Sequence, residues 1–190
     1  MEVKARKAKI ERKTNETSIQ VAVNLDGKGK SKIDTGIGFF NHMLELLSKH
    51  SLIDLKVSAK GDLNVDQHHT IEDVAIILGK AIDKALASKK GTARYGWQYV
   101  PMDESLAFCA IDLSGRPYLK MEAKLKDETI EEFFKALANE MKANIHLKLV
   151  YGKNEHHKTE ALFKAFARAL REAVGFDKRQ KWIPSTKGRL

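Results

Sequence analysis

Two short segments of this chain carry the same metal-ligating residue types at the same spacing. His68-His69-Thr70-Ile71-Glu72 and His156-His157-Lys158-Thr159-Glu160 both set two adjacent histidines ahead of a glutamate. Every matching position is displaced by 88 residues (156−68, 157−69, 160−72). The chain has seven histidines, and four of them lie in these pairs. Neutral imidazole and carboxylate both ligate divalent metals. A His and a Glu four residues apart share one face of a helix, while the adjacent His is turned by about 100°. Each segment can therefore offer a His/Glu pair to one metal and a lone His to another. A single His-x-x-x-Glu on a helix is usually a surface pair, but two copies in register point to ligation. Helix N-termini disfavour positive charge, which helps keep such imidazoles neutral and able to ligate.

Two further histidines extend the constellation. His42 lies in Gly38-Phe39-Phe40-Asn41-His42-Met43-Leu44, and His146 lies just ahead of the second pair. Six His and two Glu divide into two sets of three His and one Glu, with open positions for a substrate. His50 fits neither set and reads as structural or exposed.

The elements that must position these residues follow from periodicity. Alternating runs from Val3 to Lys13 and from Ser18 to Leu25 predict a β-hairpin. Asp34-Thr35 can cap a helix over 36–49, with Ile37, Phe40, Leu44 and Leu47 as its apolar stripe. Leu52 to Ala59 alternates as a strand, and a helix follows over 70–88 with Ile71, Val74, Ile77, Leu78, Ile82 and Leu86 inward. The second half repeats the order: strands at 94–100, 105–113 and 116–124, a helix at 129–142, a strand at 145–151 and a helix at 157–173. The segments 51–57 and 143–149 also match, which would set His146 opposite Asp54. The fold class is therefore α+β, a tandem duplication with halves 1–90 and 91–190. The second half includes an extended tail from Lys181 to Leu190.

Bulk properties bound the function. With 190 residues, 43% of them hydrophobic, the chain can bury a substantial core. The single cysteine, Cys109, excludes a disulfide framework and suits a reducing cytoplasm. Met1 to Lys7 holds no apolar stretch of the secretory kind, and no run reaches the roughly 18–20 residues of a membrane span. A cytoplasmic location and no membrane partner are expected. The net charge is +9, but the cations are dispersed and aromatics are only 7%, without a stacking motif. An anionic small molecule is thus favoured over nucleic acid.

At this point the chain resembles imidazoleglycerol-phosphate dehydratase. The first half contributes Arg12-Lys13-Thr14-Asn15-Glu16-Thr17, Asp34-Thr35-Gly36-Ile37-Gly38-Phe39-Phe40-Asn41-His42-Met43-Leu44 and Gly61-Asp62-Leu63-Asn64-Val65-Asp66-Gln67-His68-His69-Thr70-Ile71-Glu72-Asp73. The second half contributes Asp112-Leu113-Ser114-Gly115-Arg116-Pro117, Asn154-Glu155-His156-His157-Lys158-Thr159-Glu160-Ala161 and Pro184-Ser185-Thr186-Lys187-Gly188. One departure is Asn41, where the family usually carries Asp; its effect would fall on the orientation of His42.

The resemblance implies two four-stranded sheets, each with helices on one face, and the helices packed between the sheets. It implies a homo-oligomer of 24 subunits with active sites at subunit interfaces, and two Mn2+ per active site. One metal would take His42, His69, His156 and Glu160, and the other His68, Glu72, His146 and His157. The catalytic carboxylates would be Glu16, for proton transfer, and the two ligands Glu72 and Glu160. Arg94, Arg116, Lys164, Ser185 and Lys187 would bind the substrate with Glu16, holding its phosphate by forks, an ammonium and a hydroxyl. The implied reaction removes water from imidazole glycerol phosphate to give imidazole acetol phosphate, in histidine biosynthesis. Metals on both ring nitrogens would draw the ring to imidazolate, whose electron release can expel the neighbouring hydroxyl. A phosphoesterase with the same metals, usually richer in Asp, and a basic RNA-binding module are the competing readings.

Overall fold

The computed structural model describes residues 6–190; the start of the expected first strand, Val3 to Ala5, lies outside them. Twelve elements follow in chain order. The first sheet is built from β1 (Lys7–Lys13), β2 (Thr17–Asn24), β3 (Ser31–Asp34) and β4 (Asp54–Gly61), with α1 (Gly38–Ser51) between β3 and β4 and α2 (His68–Leu86) after β4. The second is built from β5 (Tyr95–Met102), β6 (Ser105–Asp112), β7 (Tyr118–Glu122) and β8 (Asn144–Tyr151), with α3 (Thr129–Met141) and α4 (Glu155–Val174) in the same places. Strand orders are β1-β2-β4-β3 and β5-β6-β8-β7. In both sheets the third strand in sequence pairs parallel to the fourth, through a helical crossover.

The two sheets face each other across a layer of four helices. α2 rests on the first sheet and meets α3, while α4 rests on the second and meets α1. Alternation sets the inward faces: Ile19, Val21 and Val23 of β2 and Leu55, Val57 and Ala59 of β4 are buried, as are Ala107, Cys109 and Ile111 of β6. Phe40 of α1, Phe133 and Phe134 of α3, and Phe163 and Phe166 of α4 form one aromatic cluster, with ring centroids 5.0–5.5 Å apart. Gly96 lets α4 lie directly on β5, because a Cβ there would strike the Ala169 carbonyl. That contact fixes the height of the helix that carries the second histidine pair.

Four details depart from the sequence reading. β3 was not expected: it has four mostly exposed residues and no alternation, and it exists because β4 offers a parallel edge. Thr35 does not cap α1. Its backbone N–H and hydroxyl instead donate to Asn41 Oδ1 at 3.0 and 2.6 Å, so the helix side chain caps the loop. The tail is not extended but folds into turns, pinned by Gly91 N–H to the Trp182 carbonyl at 3.0 Å and by Gln180 to the Thr92 carbonyl at 2.7 Å. Finally, Asn24 pairs with Asp54 and Asp112 with Asn144, so Asn144 is the counterpart of Asp54 and His146 that of Lys56. Strand pairing, not local similarity, sets this register.

Candidate metal and substrate site

Both histidine pairs occupy the first turn of a helix, where backbone N–H groups lack helical partners. The flanking side chains solve that problem in the same way twice. Asp66 accepts the His68 N–H at 2.7 Å, and Asn154, displaced by 88 (154−66), accepts those of His156 and His157 at 2.9 and 3.3 Å. The helix starts are thereby fixed, and with them the direction of each imidazole.

At the start of α4 three donors converge. His156 Nε2 lies 3.1 Å from Glu160 Oε2, and His42 Nε2, reaching across from α1, lies 3.6 Å from the same oxygen. All three ligand atoms fall within 4.8 Å of one another. An ion about 2.0–2.2 Å from each donor would need donor separations of about 3–4 Å, a range that the two contacts with Glu160, at 3.1 and 3.6 Å, fall in. Phe39 stands edge-on to the His156 ring at 5.3 Å and walls the cluster on one side. Lys164 pairs with the other oxygen, Glu160 Oε1, at 2.5 Å. Burial opposes ionisation of Glu160, but Lys164, His156 and His42 together hold its carboxyl below the usual range. It is an anion with one oxygen available to a cation.

The other expected ligands are placed separately in one chain. His68 Nε2 is 3.6 Å from Glu72 Oε2 on α2, the helical pair read from the spacing. His69 turns away and bonds Asp62 through Nδ1 at 3.0 Å. His157 bonds Glu104 through Nδ1 at 2.7 Å. The hydrogen bond to Asp62, then the charge of Glu16, raise the pKa of His69; the bond to Glu104 does the same for His157. His146 lies on the outer face of the second sheet, its ring 6.0 Å from that of Tyr118. Thus His42, His156 and Glu160 form one group, His68 and Glu72 a second, and His69, His146 and His157 stand apart from both. Asp62 and Glu104 were missed from sequence; Glu104 carried a usable signal, taken up below.

The expected phosphate group gathers at the far end of α4. Arg94, whose backbone N–H donates to the Ala173 carbonyl, forks onto Asp112 at 2.6 and 3.0 Å and reaches the Pro184 carbonyl at 2.7 Å. Its guanidinium thus holds the tail that carries Ser185 and Lys187. Arg116 is exposed beside Gly115, against which the terminal Leu190 packs. Lys164, by contrast, sits with the metal cluster. Glu160 and Ala173 are 13 residues apart on one helix (173−160), or about 20 Å at 1.5 Å per residue. The three-carbon phosphate ester that the resemblance implies as substrate would not span that distance. Glu16 lies at the β1–β2 turn, exposed, and its side chain makes no hydrogen bond or ion pair among the described residues. The turn itself is tied to α2: Asp73 accepts from Arg12 and, at 2.5 Å, from the Thr17 hydroxyl.

Residues 35–170 match the sequence profile of imidazoleglycerol-phosphate dehydratase. The chain belongs to the imidazoleglycerol-phosphate dehydratase family. The Clostridium acetobutylicum imidazoleglycerol-phosphate dehydratase is 57% identical over 193 residues, covering 97% of this chain and 98% of the relative. That of Clostridium kluyveri is 54% identical over 189 residues, covering 95% and 97%. The crystal structure of the Staphylococcus aureus imidazoleglycerol-phosphate dehydratase superposes with a TM-score of 0.81 at 38% identity, over 90% of this chain and 99% of that one. The Pyrococcus furiosus enzyme, solved in complex with (S)-C348, gives 0.82 at 33% identity, over 95% and 100%. The chain is thus an enzyme of a dehydratase family, with the duplicated two-sheet fold of its solved relatives. Among the described residues, no helix is long and apolar enough to cross a membrane.

Proposed function

We propose that this chain dehydrates imidazole glycerol phosphate to imidazole acetol phosphate in the cytoplasmic synthesis of histidine, using two Mn2+ per active site. The observation that carries the metal requirement is the cluster of His42, His156 and Glu160, two imidazoles and a carboxylate on a scaffold already capped and buried. His69 from a neighbouring subunit would complete that set. His68, Glu72, His146 and His157 would form the other, again across an interface. Nitrogen-rich sets bind Zn2+ more tightly by intrinsic affinity, so supply would decide in favour of Mn2+.

The separation along α4 supports the same assembly. One chain presents its metal cluster and its phosphate groups at opposite ends of a helix, so a working site needs one end from each of two chains. A closed assembly of 24 subunits would bring such ends together at every interface. The proposed half-repeats, 1–90 and 91–190, supply different pieces to it, the second carrying the tail.

Bound metals would supply Lewis-acid charge to the azole ring. The chain's own groups do the rest. Arg116, Lys187 and the Ser185 hydroxyl hold the phosphate, with Arg94 keeping the tail in place. Lys164 keeps Glu160 ionised. Glu16, exposed and uncommitted, moves the proton between the reacting carbon and the departing hydroxyl. The test is an assay of the purified protein with imidazole glycerol phosphate. Formation of the ketone without phosphate release is expected. Phosphate release without ketone would replace this reading with the phosphoesterase.

A further inference from the structure

The duplication reaches beyond the histidines to the hairpin turns. Glu16 and Glu104 are also 88 residues apart (104−16). Each immediately precedes the second strand of its hairpin, Thr17 opening β2 and Ser105 opening β6. The registers agree as well: Lys13 faces Ser18, and Pro101 faces Leu106, each shifted by 88 (101−13, 106−18). The two glutamates are therefore copies of one ancestral position.

Their side chains now do different things. Glu104 Oε2 accepts from His157 Nδ1 at 2.7 Å, while Oε1 accepts the N–H groups of Asn154 at 2.8 Å and Lys153 at 3.1 Å. An ionised carboxylate only accepts, so Nδ1 carries the proton and a neutral ring keeps its lone pair on Nε2. The nearest acid to Nε2 is the Asp103 carboxylate at 3.7 Å, on an exposed side chain. In the first half His69 is the copy of His157 (157−69), yet its Nδ1 partner is Asp62 rather than Glu16. Asp62 has no acidic copy: it lies just past β4, whose counterpart β8 is displaced by 90 residues (144−54) and by 91 beyond its bulge (151−60), so Gly152 and Lys153 stand there. The other Asp62 oxygen, Oδ1, is buried without a hydrogen-bond partner, so His69 is the contact its carboxylate makes.

We infer that Glu104 and Asp62 are positioning residues that hold His157 and His69 with Nε2 presented for ligation, and that Asp62, by taking over at His69, leaves Glu16 free for the reaction. This rests on the metal-dependent reading proposed above. It explains why two copies of one glutamate end up with different roles.

The test compares the two copies by titrating metal-stripped protein with Mn2+, the free aqua ion being read by EPR. In Glu104→Gln one oxygen still serves Asn154 and Lys153. The amide NH2 then faces Nδ1 and favours the tautomer whose Nε2 is blocked. Mn2+ affinity falls about 10- to 100-fold, and excess Mn2+ restores most of the turnover. Asp62→Asn, in a different loop, behaves alike and is the independent check if Glu104→Gln disturbs the loop it pins. Glu16→Gln keeps wild-type affinity and stays slow in excess Mn2+. If Glu104→Gln and Asp62→Asn bind Mn2+ within about twofold of wild type, the positioning role is overturned and the metal reading stands. Equal loss in Glu16→Gln would overturn the division of roles. A wild-type protein that binds no Mn2+ would remove the underlying reading itself.

Discussion

Replacing Asp73 by Ala should unfasten the hairpin that carries Glu16. Asp73 lies one residue past Glu72 on α2 and is 8% exposed; Thr17, its hydroxyl donor, is 3% exposed. A hydrogen bond to a charged, buried acceptor contributes about 1.5–3 kcal/mol. The Arg12 partner is 37% exposed, so that pair adds at most about 1 kcal/mol. Together the change should cost about 2–4 kcal/mol. For a chain of this length each kcal/mol moves Tm by about 2–4 °C, so Tm of the metal-free protein should fall by roughly 5–15 °C. The β1–β2 turn would then drift relative to α2, and a shift of about 1 Å at a proton-transfer group can cost up to about 100-fold in rate. Thermal melts and steady-state kinetics at saturating Mn2+ read the two effects. An unchanged Tm would refute the energetic argument. A lowered Tm with wild-type kcat would show that the anchor stabilises the fold without placing Glu16.

Three other outcomes follow from the same geometry. Phe163→Ala removes a ring 5.0–5.2 Å from those of Phe133 and Phe134, and denaturant unfolding should show a loss of about 3–5 kcal/mol. The hydrogen bond from Arg6, opposed by burial, holds the Asp26 carboxyl below its usual range. Its folded pKa is the lower one, so its stabilisation is complete above the unfolded value of about 3.9 and fades as pH falls. Asp26→Asn should therefore flatten the acid limb of stability against pH, measured by urea midpoints. Arg116→Ala should raise KM chiefly, with kcat little changed in saturation kinetics; unaltered KM and kcat/KM would remove it from the phosphate site.

Much of the fold was legible because its signals are local. Alternation in β2, β4 and β6 and the apolar stripes of α1 and α2 each depend on a single segment. β3 was illegible because four exposed residues have no period, and only the neighbouring strand makes them a strand. The start of α1 was misread because the sequence shows Thr35 beside a helix but not that Asn41 turns back to meet it. The second turn of each histidine pair toward a different partner follows from helical geometry. Asp62 requires three-dimensional knowledge, since its partner is seven residues away (69−62) around a loop. Glu104 did not: the displacement of 88 that aligned the histidines also aligns it with Glu16. The proposed metal set was not to be read from one chain, where His42 joins His156 and Glu160 while His69 bonds Asp62.

The most direct measurement strips the metal from the assembled protein, follows ketone formation and particle size by light scattering, and then adds Mn2+. The account predicts that turnover disappears on stripping and returns as two Mn2+ per chain bind and the particle grows towards 24 subunits. Full turnover by metal-free protein, or restored turnover by separate single chains, would contradict it.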